Sequence, residues 1–217
     1  MNNFGLYIVI TRPILDYNVF VQACVDENVQ MIQLREKHLL IKDLLILSKK
    51  LKRITTGTNT KFILNDFPNV AALAQADGVH LGSEDVSLGD ALDIYNKEKI
   101  YGVSTHSYSD AVNVINRYKN GTWGLKPDYM SFGPIYATPT KEIPDEPVGL
   151  GLLACVMNLS PIPVVAIGGI FPENIQNVLS CGAKNIAMVR YFTQAKEITE
   201  LKDRIRTIQS IIKENRK

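Results

Sequence analysis

The fold of this chain is decided by a stretch that reads KFILNDFPNVAALAQADGVHLGSED, residues 61–85. It contains two short apolar runs, Lys61–Asn65 and Gly78–Leu81, and a helical stretch separates them. This order is typical of a βαβ unit, in which the two strands are parallel. An aspartate lies just past each run, Asp66 after the first and Asp85 after the second. If the strands are parallel, both carboxylates converge on one rim.

The same alternation extends along the whole chain, which contains eight short runs rich in Val, Ile, Leu and Tyr. Most runs are apolar without alternation, as expected for strands that are covered on both faces. The 217 residues show no linker between halves and no Gly-x-Gly-x-x-Gly turn after the first strand, which argues against an open dinucleotide-binding sheet. The pattern predicts an α/β fold, a single-domain (β/α)8 TIM barrel over residues 1–217. The predicted strands are Leu6–Ile10, Met31–Leu34, Lys61–Asn65, Gly78–Leu81, 100–103, Tyr129–Phe132, Val164–Ile167 and 186–189.

Start, stop and periodicity signals mark several of the helical stretches. Ser107 with Asp110 resembles a capping box at the start of one helix. Pro172 in the first turn and Gly182 just beyond the end predict another helix. The last helix is predicted to bury an apolar stripe, formed by Ile198, Leu201, Ile205, Ile208 and Ile212.

Composition limits the classes of partner. The chain is 46% hydrophobic and 21% charged, and its formal net charge of +2 indicates no nucleic acid or other polyanionic partner. No apolar run approaches the ~20 residues that a membrane helix needs, and the first residues lack the pattern of a signal peptide. We therefore expect a cytoplasmic protein that has no membrane partner. The sequence leaves a homo-oligomer open.

The three cysteines carry no sign of a shared function. Cys24, Cys155 and Cys181 are isolated in helix-like segments and show no CxxC spacing. Neither a disulfide framework nor a zinc site is indicated. We expect all three to be buried structural thiols.

The residues at the C-terminal ends of the strands form a strongly polar set. In a (β/α)8 barrel these positions share one rim, and active sites lie there. Two carboxylates beside several cations make little sense as packing, but together they can hold a divalent metal ion and a polyphosphate. The set therefore predicts a diphosphate-handling enzyme. It comprises Gln33, Arg35, Glu36, Lys37, Asn65, Asp66, Asp85, Ser104, Thr138, Thr140, Lys141, Gly168 and Gly169.

Several of these segments, in order and at family-like spacing, resemble the thiamine phosphate synthase family, and the resemblance runs from strand 1 to strand 8. It implies a Mg²⁺-dependent transferase that joins hydroxymethylpyrimidine diphosphate to a thiazole phosphate, or its carboxylated form, and releases diphosphate. The implied route breaks the C–O bond first and leaves a pyrimidine-stabilised cation, which the thiazole nitrogen attacks. The motifs are QLREK at 33–37, ND at 65–66, GVHLGSED at 78–85, GVSTHS at 102–107, GPIYATPTK at 133–141 and AIGGI at 166–170.

The resemblance also implies a role for each residue of the set. Asp66 and Asp85 would bind Mg²⁺, which favours one or two carboxylates completed by substrate oxygens and water. In one place the chain departs from the family, which usually has Val-Ser or Ile-Ser where this chain has Val189-Arg190. The implied catalytic residues are Lys141, Ser104 and Lys37. The pyrimidine diphosphate would be bound by Gln33, Arg35, Glu36, Lys37, Asn65, Ser104 and Lys141, and the thiazole phosphate by Thr138, Thr140, Gly168, Gly169, Val189 and Arg190.

Single residues of the set also have ordinary structural explanations. Asp66 would serve as a helix N-cap, since an Asp after a strand often does. Asp85 could be a turn residue, and Arg35 with Glu36 could form a surface ion pair of little energetic weight. His80 lies inside a strand and is interpreted as a hydrogen-bonded barrel residue.

Two rival functions stay open at this point. A thiazole tautomerase shares the barrel and the phosphate site but needs neither diphosphate nor metal, so the presence of Asp66, Asp85, Lys37 and Lys141 argues against it. A catalytically silent barrel that binds thiazole phosphate or thiamine phosphate is favoured by Arg190 alone.

Overall fold

The protein is a closed barrel of eight parallel strands, which follow one another in chain order. The computed structural model describes residues 3–83, 85–95, 98–122, 126–138 and 145–215. β8 pairs with β1 and closes the barrel, so the predicted (β/α)8 fold is confirmed. The strands are β1 Leu6–Ile10, β2 Met31–Leu34, β3 Lys61–Asn65, β4 Gly78–Leu81, β5 Ile100–Thr105, β6 Tyr129–Phe132, β7 Val164–Ile167 and β8 Asn185–Met188. The helices of the described segments are α1 Tyr17–Asp26, α2 Ile41–Thr55, α3 Pro68–Ala74, α4 Leu88–Ile94, α5 Tyr108–Asn120, α6 Gly149–Leu159, α7 Ile175–Ser180, α8 Arg190–Thr193 and α9 Ile198–Glu214.

Two strands differ from their predicted bounds. β5 continues past 103 through Ser104 to Thr105, because β6 offers parallel ladder partners alongside both residues. β8 begins and ends one residue earlier than predicted, so Val189 lies after the strand. Ser104 is therefore held by the sheet, whereas Val189 and Arg190 belong to the turn that opens α8.

Two apolar layers stabilise the barrel. The larger core lies between the strands and the surrounding helices, where helix residues such as Phe20 and Leu51 are fully buried. A smaller cluster fills the barrel interior and includes Phe4, Tyr7 and Tyr129, whose rings meet edge to face. Burial of such aromatic side chains contributes strongly to folding free energy. The barrel interior is thus a packed core. Its opening at one end, which we call the mouth, is polar.

Helix α7 starts later than the sequence predicted. It begins at Ile175, so the expectation that Pro172 occupies its first turn is wrong. The side chain of Asn174 explains the delay, because its Oδ1 accepts from the Phe171 N–H (2.9 Å) and its Nδ2 donates to the Gly169 carbonyl (2.8 Å). These bonds organise a turn after β7 in place of a helical turn.

The other helix signals are mostly confirmed. Ser107 is the N-cap of α5, and its Oγ accepts from the Asp110 N–H at 3.1 Å. Gly182, beyond the end of α7, has φ +87°, a left-handed conformation suited to glycine. The predicted stripe of α9 is correct for four residues but wrong for Ile198, which begins the helix and is 45% exposed. The four buried residues are Leu201, Ile205, Ile208 and Ile212.

The cysteines differ in burial. Cys24 is buried as expected, but Cys155 is exposed and Cys181 is half-buried, so the expectation of three buried thiols is wrong for these two. Cys155 is exposed because α6 turns Leu153 and Val156 toward the core.

A separate finding concerns membranes: within the described residues, no helix combines the length and apolarity that crossing a bilayer requires.

Candidate active site

A cavity opens at the C-terminal end of the barrel, where the polar set was expected. Its walls come from strand ends and loops around the barrel, so residues far apart in sequence face one space. This convergence follows from parallel strands in a closed barrel, because every strand delivers its C-terminal end to the same rim. The cavity is lined by nine of the proposed site residues, Gln33, Arg35, Asn65, Ser104, Thr138, Gly168, Gly169, Val189 and Arg190.

On the side of the mouth that follows β7, the cavity wall is formed by the backbone of Gly168 and Gly169, which have no side chains. Gly168 has φ +99° and Gly169 has φ +66°, conformations that side chains disfavour. A Cβ on Gly168 would lie 2.4 Å from the Cα of Pro134, and one on Gly169 would lie 2.8 Å from the carbonyl oxygen of Tyr136. The Tyr136 N–H also donates to the Gly168 carbonyl at 3.0 Å. Glycine at both positions therefore lets the β7 turn pack directly against the loop that follows β6.

The turn after β8 completes this side. Val189 and Arg190 both line the cavity, and Arg190 opens the short helix α8. In barrels of this kind the loops after strands 7 and 8 frequently bind phosphate. Arg190 thus brings a guanidinium to this part of the mouth.

The opposite side of the mouth is built from charged side chains. Asp66 Oδ2 lies 3.1 Å from Lys37 Nζ, and the Asp66 side chain is only 10% exposed while that of Lys37 is 51% exposed. Asp85 Oδ2 accepts from the Gly82 N–H at 2.7 Å. Burial, together with a hydrogen bond and the negative charge of Asp85, raises the pKa of Asp66 to about 6 although Lys37 opposes the shift. The two carboxylates therefore lie close enough to interact, and burial adds to the cost of ionising Asp66.

The backbone at Asp66 shows that this residue is not a helix cap. Its φ is +67°, and it forms the centre of a tight turn in which the Phe67 N–H donates to the Asn65 carbonyl at 2.9 Å. The N-cap of α3 is Phe67, which has no side-chain capping bond, so the capping explanation is wrong. A left-handed conformation costs free energy for a residue other than glycine. The left-handed backbone at Asp66 turns its side chain toward Lys37 and Asp85. Asp85 does close a turn, as the alternative explanation held, but it also faces Asp66.

Arg35 and Glu36 diverge. Arg35 is half-buried and lines the cavity, whereas Glu36 is 6% exposed and bonds to the segment after β1. Its Oε1 accepts from the Arg12 N–H at 2.5 Å and from the Tyr17 hydroxyl at 2.7 Å. A surface ion pair between Arg35 and Glu36 is thus excluded. Glu36 therefore stabilises the segment that follows β1. Its contact with the pyrimidine diphosphate stays a prediction.

Two of the proposed residues, Thr140 and Lys141, lie outside the described residues. Among those described, no group of three or more His, Cys, Asp or Glu is placed to hold a metal ion. Any metal at this mouth would consequently rely on the two carboxylates Asp66 and Asp85, with further ligands from substrate and water.

Several lining residues were not found from the sequence. Tyr7 lines the floor of the cavity and reaches toward Gln33, whose Nε2 donates to its hydroxyl at 2.7 Å. His80, interpreted as a hydrogen-bonded barrel residue, is confirmed as one, since its ring nitrogens bond to Tyr129 (3.0 Å) and Ser104 (2.9 Å). Burial lowers the pKa of His80 to about 3, so its imidazole is neutral. An inward-facing tyrosine is hard to find by pattern, because these strands are apolar on both faces.

Asp145 was also missed as a lining residue, and it lies near His106, which the motif GVSTHS places just after β5. His106 Nδ1 lies 3.7 Å from Asp145 Oδ2 and 3.2 Å from the Gly133 carbonyl oxygen. Both side chains line the cavity, one from the end of β5 and one from the segment before α6. They connect the β5 and β6 sides of the mouth.

Comparison with known proteins gives concordant results. The family model described as TMP-TENI, thiamine monophosphate synthase, matches residues 6–192. The thiamine-phosphate synthase of Dictyoglomus thermophilum is 35% identical over 201 residues, covering 85% of this chain and 86% of that protein. That of Lawsonia intracellularis is 38% identical over 178 residues, covering 82% and 78%. Among solved structures, the thiamine phosphate pyrophosphorylase of Pyrococcus furiosus has a TM-score of 0.84 at 27% identity, covering 99% of this chain and 98% of that one.

Proposed function

Because this chain belongs to the thiamine monophosphate synthase family and is a transferase, we propose that it makes thiamine phosphate from two phosphorylated halves. The donor is 4-amino-2-methyl-5-hydroxymethylpyrimidine diphosphate, and the acceptor is 4-methyl-5-hydroxyethylthiazole phosphate or its carboxylated form. The observation that carries the proposal is the division of one mouth into two different anion-handling sides. A charged side lies at β3 and β4, and a glycine-built side lies at β7 and β8.

Asp66 and Asp85 fit a magnesium ion. Burial and the neighbouring Asp85 raise the pKa of Asp66, and Mg²⁺ is commonly bound by one or two carboxylates plus substrate phosphate oxygens. When bound, the ion would offset the charge that develops on the departing diphosphate. We assign the binding of both substrates and the remaining stabilisation of the leaving group to residues of this chain.

Fixed cations stabilise the leaving group. Arg35 lines the cavity and Lys37 is held at the rim by its ion pair with Asp66. Preorganised positive charge lowers the barrier where negative charge grows in the transition state. Lys141, which lies outside the described residues, has the same role by family resemblance. We therefore assign diphosphate binding to Arg35, Lys37 and Lys141.

The pyrimidine lies at the floor of the cavity. Gln33, Asn65 and Ser104 line that floor and offer hydrogen bonds to the ring. In the proposed reaction the C–O bond breaks, its electron pair leaves with diphosphate, and the thiazole nitrogen lone pair then forms the new C–N bond. Apolar lining such as Val165 and Ile167 keeps water away from the cation.

The thiazole phosphate is assigned to the glycine-built side. Gly168 and Gly169 line this side of the cavity, so their backbone can meet the phosphate there. Thr138 supplies a hydroxyl, and the turn at Val189 and Arg190 closes the site. Arg190 adds a charge-assisted contact in place of the serine hydroxyl.

The proposal is tested by mixing the purified protein with both substrates and measuring thiamine phosphate with added Mg²⁺, with a chelator, and after Mg²⁺ is restored. We expect product only when the metal is present. Product formation that is indifferent to the chelator would refute the metal assignment. If no product forms with either form of the acceptor while calorimetry detects binding of thiazole phosphate, the barrel is a silent binder and the transferase assignment fails.

A further inference from the structure

Five side chains form an unbroken row of hydrogen bonds across the barrel interior, beneath the cavity. Gln33 Nε2 lies 2.7 Å from the Tyr7 hydroxyl, which lies 2.8 Å from the Tyr129 hydroxyl. The Tyr129 hydroxyl is 3.0 Å from His80 Nδ1, and His80 Nε2 is 2.9 Å from Ser104 Oγ. We call this row the five-residue network. It joins β2, β1, β6, β4 and β5, so it crosses the barrel from one wall to the other.

Every group in the five-residue network is neutral. Burial raises the pKa of Tyr7 and of Tyr129 far above the physiological range, so both phenols keep their protons. Burial lowers the pKa of His80 to about 3, so the imidazole has a single N–H. Each hydroxyl therefore donates one hydrogen bond, and the imidazole donates one and accepts one.

With Gln33 Nε2 as the first donor, counting protons gives the direction of the network. Gln33 donates to the Tyr7 oxygen, and within the described residues the acceptor left for the Tyr7 proton is the Tyr129 oxygen. The Tyr129 proton must then go to His80 Nδ1.

The same count places the last proton in the cavity. Because Nδ1 accepts, the His80 proton lies on Nε2 and is donated to Ser104 Oγ. The Ser104 hydroxyl, whose oxygen is already an acceptor and which lines the cavity, directs its own proton at whatever occupies the cavity. Turning the Gln33 amide over would reverse every one of these donations.

We propose that the two tyrosines and His80 are positioning residues that fix the Ser104 hydroxyl as a hydrogen-bond donor to the ligand. The atom that meets Ser104 is accordingly an acceptor, and a ring nitrogen of an aminopyrimidine has that property. The identity of this ligand rests on the proposed function, but the direction of the network does not.

Gly102 provides independent support, because it makes the central contact of the network sterically possible. A Cβ at Gly102 would lie 2.4 Å from the Tyr129 hydroxyl oxygen and 2.6 Å from His80 Nδ1. Both distances are too short for a real side chain. The absence of a side chain on β5 therefore leaves the space in which Tyr129 and His80 meet.

The direction of the network is tested by ¹⁵N NMR of histidine-labelled protein, which has only three histidines to assign. We expect His80 to be the Nε2–H tautomer. The spectrum of His80→Gln assigns the signal. An Nδ1–H tautomer overturns the proposal. The measurement needs no turnover, so it remains decisive even if the transferase assay fails.

The positioning role is tested by kinetics with Tyr129→Phe, which removes one hydroxyl from the middle of the network. We expect kcat to fall about tenfold with little change in KM, the size of one lost hydrogen bond. In a Ser104→Ala background the same change should have no further effect on kcat, because Tyr129 acts through Ser104. Independent, multiplying losses, or an unchanged kcat in Tyr129→Phe, contradict the proposal.

Three variants separate positioning from stability. Tyr101→Phe is the matched control, since Tyr101 is a buried β5 tyrosine whose hydroxyl bonds to the Tyr95 carbonyl, away from the network. It should lower stability and leave kcat unchanged. His80→Gln, which can still donate to Ser104, should retain more activity than His80→Leu; equal losses would show that only packing matters at this position.

Discussion

The two sides of the cavity mouth are built in different ways. After β2, β3 and β4 the site consists of side chains, chiefly Lys37, Asp66 and Asp85. At β7 the site consists of the backbone itself, because Gly168 and Gly169 pack against the loop after β6. A substitution on the charged side should therefore lower activity and leave stability nearly unchanged. A substitution on the glycine side should lower both activity and stability.

The largest effect is expected from Asp66→Ala or Asp85→Ala. Each removes half of the proposed metal site, so kcat should fall about 100-fold or more while the melting temperature changes little. Paired measurements of turnover and thermal unfolding by circular dichroism check this. Asp203→Asn, which changes a side chain that is 73% exposed on α9, is the control and should behave as wild type. Unfolding of either alanine variant would show that the carboxylates are structural.

A smaller effect on activity, accompanied by a loss of stability, is expected from Gly169→Ala. The new Cβ would meet the Tyr136 carbonyl oxygen at 2.8 Å in a left-handed backbone, so the free energy of unfolding should fall by about 2 kcal/mol. Urea titration measures this fall, and KM for thiazole phosphate should rise in parallel. The matched change Gly151→Ala places its Cβ in open space within α6 and should be neutral or slightly stabilising. If Gly169→Ala and Gly151→Ala were equally stable, the proposed difference between the charged side and the glycine side would be wrong.

The smallest effect is expected from Arg190→Ala. Arg190 lines the cavity beside the glycine turn, and loss of one charge-assisted contact should raise KM for the thiazole phosphate about tenfold with kcat nearly unchanged. Steady-state kinetics with varied acceptor concentration tests this, and Arg190→Lys, which keeps the charge, should recover part of the affinity. An Arg190→Ala variant with wild-type KM would mean that the guanidinium takes no part in phosphate binding.

The barrel could be predicted from the sequence because its strands are continuous apolar runs separated by helical stretches. The convergence of Arg35, Asn65 and Gly168 followed from topology alone, since parallel strands in a barrel share one rim. The side chains that depend on local geometry could not be predicted in the same way. Asp66 looked like a cap, and only the turn at Asn65–Phe67 shows why it faces Asp85.

The interior network lay beyond sequence reasoning for a similar reason. In β1 the order Leu-Tyr-Ile-Val-Ile gives no alternation to show that Tyr7 faces inward. That orientation, and the meeting of Tyr7 with Tyr129 across the interior, depends on strand register and barrel closure. Likewise, nothing in the motif QLREK shows that Arg35 and Glu36 point to different neighbours.

The seam between β1 and β8 has a consequence for synthesis on the ribosome. Ile8 pairs with Met188, and Asn185 Oδ1 accepts from the N–H groups of Phe4 and Gly5. A nascent polypeptide therefore carries β1 as an open edge until nearly all of the barrel has been translated. Exposed edges invite pairing with other strands, so β1 stays open to incorrect pairing until β8 has been made.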